Sequence, residues 1–349
     1  MKSQVIKNFY DKMNFIKHKI SATFVFVYND YSTYSDDDPH LEECYDDEEK
    51  NEIIDAVFDL FEEIICYGSE TAFIKNCELL KATNRPVYVY TMAQQINGYN
   101  RRVLIPALCL HYGFINLNAD PYMSAIGCNK ETMYNLLKLK SFNKFIPPTL
   151  YFDLNTPINL NVIKNNCGEC LVIKPICESC CIDVFVIQEF VSESVMQTIN
   201  YLINKYNRCM VQKYIPGREI GVTVVYHDSD YYALPPIEII FQDKKQFLSH
   251  EDSYYDNYDL GVCDISEILL RECEKMSKAL EYNCITRYDF RFDGYNYFLF
   301  DISPNPTLSG HSSSNYAARN LLNCDHRGIY KLLAFEKLYL FEPSFYCTI

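Results

Sequence analysis

The stretch Arg287–Pro306, RYDFRFDGYNYFLFDISPNP, constrains the fold of this chain more than any other. Its two runs alternate apolar and polar residues as half-buried strands do, and Asp293-Gly294 between them is a strong hairpin signal. Such a hairpin brings Asp289 and Asp301 together on neighbouring strands, among aromatic side chains. Two carboxylates without partners would repel there. A bound divalent cation removes the conflict, because hard Mg²⁺ is held through one or two carboxylates together with substrate phosphates. The hairpin therefore asks whether the rest of the chain supplies a phosphate site.

Upstream, ISATFVFVYND reads as a first strand, NEIIDAVFDLFEEIICYG has helical spacing closed by Gly68, and PVYVYTMAQ reads as a second strand. RRVLIPALCLHYG is a predicted helix ended by Gly113, and FINLNADP a short strand. Alternating strands and helices predict an α/β lobe. From about Asp120 the texture changes. NKETMYNLLKLKSFNKF is a helix candidate, LVIKP and DVFVIQEF suggest an antiparallel pair, and VSESVMQTINYLINKYN is a helix opening with a serine cap and a glutamate. RCMVQKYIPGREIGVTVVYHDSDYYALPPIEIIF gives strands broken at Pro216-Gly217 and at HDSD. DISEILLRECEKMSKALEYN is an amphipathic helix with Asp264 as its cap, and a helical region from Asn315 closes the chain. No internal repeat is visible.

At 349 residues the chain is long enough for two or three lobes. Hydrophobic content of 48% with 22% charged residues is that of a soluble globular protein, and no uninterrupted apolar run would cross a membrane. The N-terminal segment has lysines but no continuous apolar core, so the expected location is the cytoplasm. A net charge of −14 argues against nucleic acid as a partner. Much of the acid lies between Asp36 and Glu49 and reads as a solvated loop and helix start. The 16 cysteines read as reduced thiols. Cys167/Cys170 and Cys177/Cys180 form two CxxC pairs, which leaves two readings open: zinc ligands, or small buried and loop cysteines.

Taken in order, LIPALCLHYGFINLNADPYMSAIGCNK, VIKP, VQKYIPGREIGVTVV and RYDFRFDGYNYFLFDISPNP resemble the ATP-grasp superfamily, and within it the D-alanine–D-alanine ligase-like carboxylate–amine ligases. The resemblance runs over nearly the whole chain. It implies an α/β (α+β) ATP-grasp fold: a Rossmann-like lobe over 1–120, then a central lobe over 121–208 and a C-terminal lobe over 209–349 that clamp ATP. It also implies a role for each motif. Lys130 and Lys174 resemble the lysines that contact ATP phosphates, a task suited to compact point charges. Gln212, Lys213, Tyr214 and Ile215 resemble the hinge under adenine, and Glu219 the acceptor of ribose hydroxyls. Asp289 and Asp301 resemble the magnesium ligands, with Ser303 where an asparagine usually completes the set and Mn²⁺ an acceptable substitute. Arg287 would stabilise the transferring phosphoryl group, Thr307 would offer a backbone N–H to the oxyanion, and Ser312 or Ser313 would bind a substrate carboxylate. Taken singly, these residues also read as solvated lysines, a surface acid, a weak Arg287/Asp289 ion pair and an ordinary polar loop.

Three segments depart from the family pattern. The phosphate loop is CESCCID, with Ser179, Cys180 and Cys181 at the expected positions and Asp183 where glycine is usual; a carboxylate beside triphosphate is unfavourable unless it turns away or meets a metal. The closing loop is FLSHEDSYYDNYDLG, with Tyr254 or Tyr255 for the family tyrosine and no lysine except Lys244-Lys245 upstream. The first lobe has YNDYSTYSDDDP in place of a glycine-rich turn, so Asp36–Asp38 either hold an amine or are simply solvated. The expected activity is ATP- and Mg²⁺-dependent joining of a carboxylate to an amine through an acyl phosphate. The expected partners are ATP and amino-acid or peptide substrates, with neither nucleic acid nor membrane, and a homodimer is left open. The alternative expectation is a weakened ATP-grasp protein that binds nucleotide or a peptide without efficient ligation.

Overall fold

The computed structural model describes residues 2–14, 18–94, 101–241, 247–255 and 257–341. Three sheets organise them. The first is parallel, with order β2-β1-β3-β4, built from β1 (Ile20–Val27), β2 (Phe61–Tyr67), β3 (Val87–Thr91) and β4 (Ile115–Asn116). The second is antiparallel, with order β5-β8-β6-β7, from β5 (Thr149–Asp153), β6 (Leu171–Pro175), β7 (Phe185–Ile187) and β8 (Arg208–Lys213). The third contains β9 (Arg218–His227), β10 (Asp230–Ala233), β11 (Ile237–Phe241), β12 (Tyr258–Val262), β13 (Thr286–Phe292) and β14 (Tyr297–Ser303). Its order is β12-β11-β9-β13-β14, and β10 pairs with β9.

Helices cover the parallel sheet, as buried parallel strands require. Phe24 and Phe26 of β1 enter one core with the helix Asp47–Phe58 and the C-terminal helix Arg327–Phe341, while Val25 and Val27 enter another with the helices Glu70–Ala82 and Leu104–Tyr112. The alternation along β1 is therefore that of a strand buried on both faces. A separate cluster under the second sheet packs Ile173 and Val211 against Val195 and Ile199 of the helix Ser192–Tyr206.

The structure corrects several expected elements. The helix predicted to run to Gly68 stops at Phe58, and Phe61–Tyr67 becomes β2, because Ile64 and Ile65 pair in parallel with Phe24 and Val25. Tertiary pairing overrides local periodicity there. The helix Ser192–Tyr206 has Val191 at its N-cap with no side-chain bond, so the expected serine cap is absent. Ser266, not Asp264, caps the helix Glu267–Leu280, and its side chain accepts from the Ile268 amide. Among the described residues no helix is long and apolar enough to cross a membrane.

Candidate active site

The β13–β14 hairpin has the register its alternation implies: Asp289 lies opposite Asp301, and Arg287 opposite Ser303. The Asp293 carboxylate accepts from the amides of Tyr295 and Asn296 at 2.8 and 2.7 Å, and Gly294 takes a φ of 102° that closes the turn. Immediately past the acid pair the register slips, so that Phe290 faces Leu299 and Phe300 is the extra residue of a β-bulge. The bulged carbonyl is put to use. Phe300 O accepts from Lys174 Nζ at 3.1 Å and from the Tyr134 hydroxyl at 2.8 Å, which seats the buried lysine beside the acid pair.

Each acid has its own cation. Arg287 donates from Nε to Asp289 Oδ1 at 2.8 Å and from Nη2 to Oδ2 at 3.0 Å. Lys130 Nζ lies 3.5 Å from Asp301 Oδ1 and donates to the Glu178 carbonyl at 2.8 Å. Burial pushes Asp289 above the usual carboxylate range, against the pull of Arg287. Lys174 is 5% exposed, and burial, then the nearby charge of Lys130, lowers its pKa to about 8. The donors at the hairpin are all oxygen and carry two negative charges, a set that fits a hard cation sharing its remaining positions with phosphate and water.

A cleft of about 890 Å³ lies between the second sheet and the hairpin. Lys130, Lys174 and Glu219 line it together with Ser179 and Cys180 of the CESCCID loop. Gln212, Lys213, Tyr214 and Ile215 line it as well, and Val172, Val186 and Phe298 add apolar surface suited to a flat base. The Lys213 and Tyr214 amides are spent on the carbonyls of Pro148 and Cys170 at 3.0 and 2.9 Å, so among these amides Ile215 is the candidate reader of a base edge. Gln212 is tied inside the sheet by Nε2 to Thr149 Oγ1 at 3.0 Å. Gly217 cannot be replaced here: at φ 125° an added Cβ would lie 2.0 Å from Phe292 O. Glu219 is buried and paired with Arg291 (Nη2–Oε2 3.0 Å), and Arg291 also donates to Gly217 O at 3.1 Å. Burial raises the Glu219 pKa, opposed by Arg291.

A wider cleft of about 2520 Å³ shares Lys130, Glu219 and Asp301 with the first. Arg287, Asp289 and Ser303 line it, as do Thr307, Ser312 and Ser313. The Ser312 side chain caps the helix Ser313–Leu322 by accepting from the Asn315 amide at 3.1 Å. Its hydroxyl proton remains available to donate.

Asp183, which stands where a glycine was expected, turns away from this site. Its carboxylate accepts from Lys205 Nζ at 2.7 Å, Tyr206 Oη at 2.5 Å and Tyr201 Oη at 3.2 Å, all on the helix Ser192–Tyr206. The loop keeps a glycine-like path without glycine. Cys180 and Cys181 have φ of 51° and 56°, Asp183 has φ 52°, and the Ile182 amide closes on Ser179 O at 3.0 Å, as in a type I′ turn.

In the first lobe the acids divide. Asp38 caps the 3-10 helix Pro39–Glu43, accepting from the His40 amide at 2.9 Å and meeting His40 Nδ1 at 2.7 Å, whereas Asp36 and Asp37 are exposed. Of the acids between 36 and 52, those along the wide cleft are Glu42, Asp46, Glu48, Glu49 and Glu52. Glu43 is buried against Arg101 (Nη2–Oε2 2.5 Å) and accepts from Ser179 Oγ at 2.6 Å, while Glu178 meets Arg101 Nη1 at 3.3 Å and His40 Nε2 at 3.2 Å. This network ties His40, Glu43 and Arg101 to Glu178 and Ser179 of the CESCCID loop. The closing-loop segment also docks on the first lobe, since His250 Nε2 donates to Pro39 O at 3.3 Å and lies 3.1 Å from Glu42 Oε2. Tyr255 is exposed. Lys244, Lys245 and the Tyr254 side chain lie outside the described residues.

The sequence reading missed Arg101, Arg102, Glu43 and Arg291. For Arg291 a signal existed: it continues the Arg287–Asp289 alternation on the same strand face. The two CxxC pairs do not converge. Cys167 is buried in the central core, Cys170 is exposed with its thiol donating to Gln188 O at 3.1 Å, and among the described residues no group of three or more His, Cys, Asp or Glu could hold a metal.

No family model matches the chain. It is 31% identical over 131 residues to the D-alanine–D-alanine ligase of Bartonella henselae, covering 35% of this chain and 40% of that protein. It is 27% identical over 197 residues to that of Pelagibacter ubique, covering 53% and 60%. The chain thus matches about half the length of these relatives. In three dimensions it superposes on the D-alanine–D-alanine ligase of Bacillus anthracis complexed with ATP at a TM-score of 0.68 and 13% identity, covering 92% of this chain and 98% of that one. The chain has the ATP-grasp fold of the D-alanine–D-alanine ligases and resembles those ligases in sequence.

Proposed function

We propose that this protein is an ATP- and Mg²⁺-dependent carboxylate–amine ligase, D-alanine–D-alanine ligase-like, with three functional segments near residues 1–120, 121–208 and 209–349. The observation that carries the reading is the Asp289–Asp301 pair, set in register where a cleft holding Lys130, Lys174 and Lys213 meets a wider one holding Arg287. ATP would lie with its base over Ile215, its ribose at Glu219 and its phosphates at Lys130, Lys174 and the Ser179–Cys181 turn. Asp289, Asp301 and Ser303 would hold magnesium, which neutralises phosphate charge when bound. A substrate carboxylate oxygen attacks the γ-phosphorus, ADP leaves, and the resulting acyl phosphate is attacked by an amine that displaces phosphate and loses a proton. Arg287 and Thr307, both lining the wide cleft, would receive the developing charge, and Ser312 or Ser313 would donate to a substrate carboxylate. Positioning in a closed site does most of this work.

The test is incubation with ATP, Mg²⁺ and pooled amino acids, followed by ADP assay and mass-spectrometric product detection. Ligation gives ADP and a condensed product. Nucleotide-dependent stabilisation of about 2.7 kcal/mol at a hundredfold excess over Kd, with no ADP from any pool, would instead leave a binding protein.

A further inference from the structure

Arg101 and Arg102 are consecutive and differ in what holds them. Arg101 is buried and neutralised by Glu43 and Glu178. Arg102 is half-buried and donates to two neutral acceptors, from Nε to Gln94 Oε1 at 2.8 Å and from Nη1 to the Asn305 carbonyl at 3.2 Å. Four basic Lys or Arg residues line the wide cleft: Arg101, Arg102, Lys130 and Arg287. Three of them are paired with carboxylates, Arg101 with Glu43, Lys130 with Asp301 and Arg287 with Asp289. Among the described residues Arg102 has no carboxylate partner.

Its position suits a substrate. Asn305 and Thr307 line the same cleft, and the positive charge of Arg102 acts on the thiol of Cys180 and on Tyr45. A guanidinium held by neutral acceptors keeps its full charge for a ligand, and its planar fork matches a carboxylate. Arg287 already gives Nε and Nη2 to Asp289, so among the described residues Arg102 is the arginine of the wide cleft whose charge no carboxylate has claimed.

We propose that Arg102 determines specificity by seating a substrate carboxylate that is not the one activated, so that the cleft favours a dicarboxylic amino acid. This rests on the ligase reading above. The test is binding calorimetry on the full chain with Mg²⁺ and a non-hydrolysable ATP analogue, titrating D- and L-aspartate and glutamate against asparagine and glutamine. At least one acid should bind roughly tenfold or more tightly than its amide, the usual loss when a charge-assisted bond is removed. Arg102→Gln should erase that difference, Arg102→Lys should restore part of it, and affinity for the analogue should not change. Equal binding of acid and amide, no binding of either, or a preference that survives Arg102→Gln would overturn the proposal. So would weaker analogue binding by Arg102→Gln, which would assign Arg102 to the γ-phosphate. An acid that binds through Arg102 without ADP release in turnover assays would sink the ligase reading and leave the carboxylate seat standing.

Discussion

Arg287 and Asp289, two residues apart on β13, face each other in a bidentate ion pair of 2.8 and 3.0 Å, directly across the strand pair from Ser303 and Asp301. The repulsion expected between two bare carboxylates is thereby relieved before any metal arrives. Asp289→Asn should therefore lower stability, by about 1–3 kcal/mol, because it strips a charge-assisted bond from a largely buried guanidinium. Asp301→Asn, at the more exposed acid, should cost less than half of that. Both should abolish turnover. Urea unfolding alongside ADP release separates the two effects, and normal turnover by either variant at ordinary Mg²⁺ would refute the metal assignment.

Lys174 makes stability depend on pH in a definite direction. Its folded pKa of about 8 lies below the ordinary lysine value of about 10.4, so between these limits the unfolded chain holds a proton that the folded one lacks. The burial cost is complete below pH 8, and stability recovers as pH rises from about 8 to about 10.4. The difference between wild type and Lys174→Met in denaturant titrations should follow that window. Triphosphate beside Lys174 would raise its pKa again, so ATP binding at pH 8 should take up as much as about half a proton. Calorimetry in buffers of different ionisation enthalpy measures this, and ATP binding by Lys174→Met as tight as wild type would exclude the placement.

The CESCCID loop stores strain. Cys181 at φ 56° pays about 1–2 kcal/mol for a left-handed conformation that glycine adopts freely. Glycine loses about 0.5–1 kcal/mol more chain entropy on folding, so Cys181→Gly should stabilise by about 0.5 kcal/mol. Asp183→Gly relieves similar strain but breaks the contacts to Lys205 and Tyr206, and should destabilise. Melting temperatures moving in opposite directions would support this account; a shared direction would contradict it.

Asp38 is a cap and a partner of His40. Replacing Asp36, Asp37 and Asp38 with asparagine should leave the amine-substrate KM unchanged, since Asn still caps, whereas Asp38→Ala should cost about 1 kcal/mol. A selective rise in amine KM for the triple variant would return these acids to the substrate site.

Much of the site was legible in the chain because its signals are local. Period-two alternation with a central Asp-Gly fixes which strand faces meet, so Asp289 opposite Asp301 follows from the linear order. VIKP and VQKYIPGRE likewise carry their lysines and hinge on short strands whose ends are marked by proline and glycine. Only tertiary structure decided the rest, because it depends on partners far away in sequence. The helix Asp47–Phe58 stops short of Gly68, and FEEIICY becomes a strand only because β1 offers it a parallel edge. Phe300 is a bulge whose carbonyl awaits Lys174, 126 residues earlier. Asp183 is turned aside by a lysine and two tyrosines one helix away, and Arg101 finds Glu43 58 residues back while Arg102 finds no acid among the described residues. Charge partners inside a fold are set by packing in three dimensions, and no periodicity along the chain records them.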